Sequence, residues 1–80
     1  MAQVITPTMQ LALNEPYTVL ARELGPRGED CIRTMRDANN GIVVAVMLGQ
    51  LSEYAAMKGK WGGAVKVAAG QIVAILTRGY

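Results

Sequence analysis

Eighty residues, 51% of them hydrophobic and 18% charged, make one small domain and are too apolar for a disordered tail. One Cys and no His exclude an intrachain disulfide, a Cys/His metal site and the usual Ser-His and Cys-His nucleophile pairs. The net charge of +2 is unevenly spread: residues 1–53 carry four arginines against six acids, whereas residues 54–80 carry Lys58, Lys60, Lys66 and Arg78 with no acid.

Residues 1–28 read as an N-terminal arm of short helices. Thr6 before Pro7 is an N-cap with Pro at the first helical position, and Asn14-Glu15-Pro16 repeats the signal for a second short helix. Gly25 fits the position just past a helix end, with Pro26 blocking continuation. Val4, Ile5, Met9, Leu11, Leu13, Val19, Leu20 and Leu24 make the arm too apolar to be a solvated tail.

From Glu29 a long helix is expected. Glu29 and Asp30 complement the dipole of its first turn, and Cys31, Ile32, Met35, Ala38 and Ile42 recur at three- and four-residue spacing. Cys31 reads as a small, partly buried helix residue, with a reactive thiol as the alternative. Asn39-Asn40-Gly41 followed by Ile42-Val43-Val44-Ala45-Val46 admits a β-hairpin. The preceding segment does not alternate, and residues 47–57 are rich in Ala, Leu and Met, which favours a helix running through Gly41 or kinked there.

Residues 29–80 thus form a helical hairpin whose two apolar arms, 41–57 and 61–77, are joined by a glycine-rich turn at 58–63. The fold class is all-α: a short helical arm plus an antiparallel hairpin. Gly49 and Gly70 lie near the arm centres, and a mid-helix glycine costs about 1 kcal/mol against Ala, so close backbone approach is expected at both. Residues 42–48 are apolar in every direction of the helix and need cover on all sides. Many copies of the same chain are the simplest cover, with Ile42, Val43, Val46, Gly49, Gly70, Ile72 and Ile75 as the subunit-packing residues.

The hairpin turn is a basic tip. Lys58, Lys60, Trp61, Lys66 and Arg78 are the candidates for contact with a nucleic-acid backbone, of low sequence preference, because no helix-turn-helix, zinc-finger or RNP motif occurs. Arg33 lies between Glu29 and Asp37 at helical spacing and marks a solvated or subunit-contact face. No nucleotide-loop or metalloprotease motif occurs, so no enzyme, cofactor or small-molecule substrate is expected. The N-terminus shows no signal-peptide pattern. The near-apolar runs 41–51 and 67–76 are too short to cross a bilayer, though a hairpin dipping into lipid stays open.

The arms 41–57 and 64–80 with the 58–63 turn resemble the small helical-hairpin major coat proteins of rod-shaped or bacilliform archaeal viruses (clavavirus-like). Conjugative pilins resemble the chain more weakly: the charged 22–37 stretch and mean hydropathy of +0.22 depart from their pattern. The coat resemblance implies a structural subunit stacked around double-stranded DNA, located in the virion, with Lys58 and Lys60 toward phosphate and Trp61 anchoring the turn. The alternative is a small dimeric phage- or plasmid-type helical protein that binds and regulates a host protein, its arms closing a four-helix dimer core.

Overall fold

The computed structural model describes residues 4–78, and over these the chain is all-α. Three helices follow one another: α1 (Pro7–Ala38), α2 (Gly41–Met57) and α3 (Gly63–Arg78). The outer ends of the expected spans, residues 1–3 and 79–80, lie outside the described residues.

A straight helix of 32 residues would be about 48 Å long at 1.5 Å per residue, yet the longest dimension of the molecule is 32 Å. The difference is a reversal at Gly25, where φ is 72° and ψ −157°. Residues 7–24 rise and residues 26–38 return alongside them. Near the open end Gln10 Nε2 donates to Asn39 Oδ1 at 3.2 Å, and further along the Arg36 guanidinium lies 5.6 Å from the Tyr17 ring centre. Val4 and Asn40 form an isolated antiparallel bridge that closes that end. Gly28 makes the tight return possible: a Cβ there would sit 2.6 Å from Leu24 Cβ. The reversal realises the Gly25-Pro26 stop, and the second limb starts at Pro26 rather than Glu29.

Two expected features of the arm change. Pro16 does not open a second helix; residues 7–24 are helical throughout. Pro16 forfeits one backbone hydrogen bond, but it is buried, beside a cavity of about 310 Å³ that it shares with Gln71, Ala74 and Ile75 of α3, and this burial offsets the break. The expected start does form: Thr6 Oγ1 accepts from Met9 N–H at 3.2 Å, with Pro7 at N1.

Asn39-Asn40-Gly41 is neither a strand turn nor a continuous helix. Asn39 ends α1 in the left-handed conformation at φ 49°, which Asn tolerates better than most residues. Asn40 then caps α2, its Oδ1 accepting from the N–H groups of Ile42 (2.9 Å) and Val43 (3.3 Å). At the far end of α2, Lys60 N–H donates to Ala55 O at 2.8 Å and Gly59 N–H to Ala56 O at 3.1 Å. This is a Schellman close around Gly59 at φ 69°. The chain turns where the glycine-rich stretch requires and enters α3.

The four helical segments therefore run up, down, up, down. Met9, Leu13, Tyr17, Leu20, Leu24, Ile32 and Met35 of α1 meet Val44, Leu48, Leu51 and Ala55 of α2 and Val65, Ala68, Ala69, Ile72 and Ile75 of α3 in one core. Both later helices pack mainly on α1; α2 and α3 touch each other along only a short line. Gly49 and Gly70 are not points of close helix contact. A Cβ on either meets nothing within 4 Å, so within the chain neither glycine provides the expected close approach.

Candidate nucleic-acid interface and assembly face

In an up-down bundle the first and third turns share an end. Here the Gly25-Pro26 reversal and the 58–62 turn lie together, tied by Lys60 Nζ donating to Glu23 O at 3.4 Å. Arg22 pairs with Glu23 at 3.5 Å across an exposed surface, a contact worth little in water. Lys58, Lys60 and Lys66 are exposed at or within a turn of this end. Trp61 is 41% exposed, and the rest of it closes the seam of Leu20, Leu24, Leu48, Leu51, Val65 and Ala69.

Arg78 is not part of this group. It stands at the other end of α3, about 24 Å of helix away, beside Ala12, Glu15 and Pro16. The sequence places it with the lysines only because no acid intervenes. Two residues absent from that grouping, Arg27 and Tyr54, do belong. Arg27, on the reversal, has its guanidinium carbon 5.3 Å from the Tyr54 ring centre, and Lys58 Nζ is 5.8 Å from the same ring. A cleft of about 480 Å³ opens there, lined by Arg27, Gln50, Glu53, Tyr54, Met57 and Lys58. The signal that points to Arg27 is its place between Pro26 and Gly28 at a reversal on the same end as the hairpin turn.

The expected subunit-packing residues divide in two. Ile72 (0% exposed) and Ile75 belong to the chain's own core, because the folded-back α1 supplies cover for α3 that a short arm could not. Ile42, Val46, Gly49 and Gly70 face outward, and Val43 is half-buried. Of these, Ile42 and Gly49 line a groove of about 570 Å³ between α2 and α3, together with Ala45, Val73 and Leu76.

Two further features carry chemistry. Cys31 is half-buried on α1, and no group of potential metal ligands forms among the described residues. The Tyr17 hydroxyl is fully buried with no hydrogen-bond partner; burial pushes its pKa up to about 12, against a smaller downward pull from Arg36. No helix among the described residues is long and apolar enough to cross a membrane. No protein-family model, curated protein or solved structure matches the chain.

Proposed function

We propose that the chain is a non-enzymatic structural subunit that assembles with copies of itself into a helical particle, through the outer face of α2 and α3. The supporting observation is the uncovered side of α2. Its Val44, Leu48, Leu51 and Ala55 stripe lies on α1, but Ile42 and Val46 remain about half exposed, with Gly49 open beside them. An apolar helix left bare on one side is a surface for another chain. Taken with the coat-protein resemblance, the particle is a virion and the enclosed polymer double-stranded DNA, met by the basic turn end.

Introducing charge on that face tests the reading. Val46→Glu should abolish pelletable assembly while leaving the helical circular-dichroism signal intact; unchanged assembly would remove the face from the account.

A second reading, the compact dimeric regulator, draws on the size of the surface. The chain exposes 4799 Å², close to the roughly 4,650 Å² expected of a folded monomer of this mass. The chain closes its own four-segment core, so the arms are not left to build the expected four-helix dimer core, and a dimer in this reading pairs the outer faces instead. A discrete dimer that stays dimeric at high concentration would favour this reading over the particle.

A further inference from the structure

We propose that Arg27 and Lys58, held around the Tyr54 ring where the two turns converge, clamp a phosphate group of the nucleic-acid backbone. This rests on the DNA reading of the basic end and adds to it a specific site. Both cations come within 6 Å of one ring, from different elements, and neither has a carboxylate at ion-pair distance among the described residues. Glu53 lies on the rim of the same cleft yet pairs with neither. The cations rest on the ring and leave their N–H groups for an incoming acceptor.

The donor set suits an oxyanion with several oxygens. A guanidinium offers a planar fork of N–H groups, an ammonium three more, and Gln50 an amide on the same cleft. The cleft is open enough, at about 480 Å³, for a phosphodiester to enter from solvent. Lys58 is the cap residue of the Schellman close, and Arg27 follows the Gly25-Pro26 reversal, so the backbone brings both residues to the same end. A membrane surface fits less well. Of the residues that line the cleft, Met57 alone is a large exposed hydrophobic.

The test is binding of the full chain to a duplex DNA oligonucleotide between 50 and 200 mM salt, with folding of each variant checked by circular dichroism. Each phosphate contact contributes a salt slope of about 0.9, so losing one flattens the fourfold salt dependence by roughly 3.5-fold. The Arg27→Gln/Lys58→Gln double variant should show that loss once, with each single variant losing part of it, Arg27→Lys should keep the wild-type slope, and Glu53→Gln should tighten binding; a double variant that loses two contacts would put the cations on separate phosphates and overturn the clamp. Arg33→Gln, at an Asp30-paired site elsewhere, should bind as wild type. If Arg27→Gln keeps the wild-type slope while Lys58→Gln and Lys60→Gln lose theirs, the clamp is overturned and the DNA reading stands. If the wild type fails to bind duplex at 50 mM salt, the DNA reading falls and takes the clamp with it. Binding to phosphatidylserine-containing vesicles in place of duplex would likewise overturn the proposal and assign the end to a membrane.

Discussion

Replacing Gly25 by alanine separates a folded-back α1 from a continuous one by the sign of the effect. At Gly25 the backbone takes φ 72° and ψ −157°, a region essentially closed to residues bearing a Cβ. Nothing lies within 4 Å of where that Cβ would stand, so no contact adds to or offsets the conformational term. That term costs about 1–3 kcal/mol. In a helix running straight through the same position, Gly25→Ala would instead gain about 1 kcal/mol. The two geometries thus differ by about 2–4 kcal/mol, well outside the error of urea denaturation followed by circular dichroism. On heating, a domain of this size loses about 4–8 °C per kcal/mol, so the variant should melt several degrees or more below wild type. A variant as stable as wild type, or more so, would refute the reversal and with it the juxtaposition of Arg27 and Lys58.

Three further outcomes follow from neighbouring features. Gly28→Ala places a methyl 2.6 Å from Leu24 Cβ and should destabilise by about 1–3 kcal/mol less the roughly 1 kcal/mol of helix propensity gained, whereas Gly49→Ala, facing open space, should gain up to about 1 kcal/mol; paired denaturation curves check both signs. Tyr17→Phe removes a buried hydroxyl that has no partner and should leave stability unchanged or raise it, by at most about 1–3 kcal/mol, in the same assay. In the wild type the folded phenol holds its proton to about pH 12, whereas the unfolded one releases it near pH 10. Stability from this group is therefore whole below about pH 10 and falls as pH rises toward 12, a loss that Tyr17→Phe should abolish in pH-dependent denaturation.

Local signals carried the chain's punctuation. Thr6-Pro7, Gly25-Pro26 and the 58–63 turn act through the backbone of the residues themselves, and each forms where the sequence places it. What the sequence hid depends on where segments go after a turn. Gly25 reads as a stop, but the return of residues 26–38 along 7–24 is a tertiary event, made possible by a missing side chain at Gly28. Once α1 is doubled it can cover both later helices. Ile72 and Ile75 then become core, and Gly49 and Gly70 face outward, although their mid-helix position reads as a helix contact. Pro16 misled for the same reason: its local penalty is offset by burial beside α3. The candidate site was half visible. Lys58, Lys60 and Trp61 are neighbours in sequence, while Arg27 and Tyr54 join them only through the up-down topology.

Self-assembly through the outer α2–α3 face is the central claim, and electron microscopy of the purified chain tests it most directly. Negative-stain images of wild type should show rods of constant width that are lost in Val46→Glu, with DNA inside them protected from nuclease. Fields empty of particles, together with a single folded 8.5 kDa species in sedimentation at the same concentration, would contradict it.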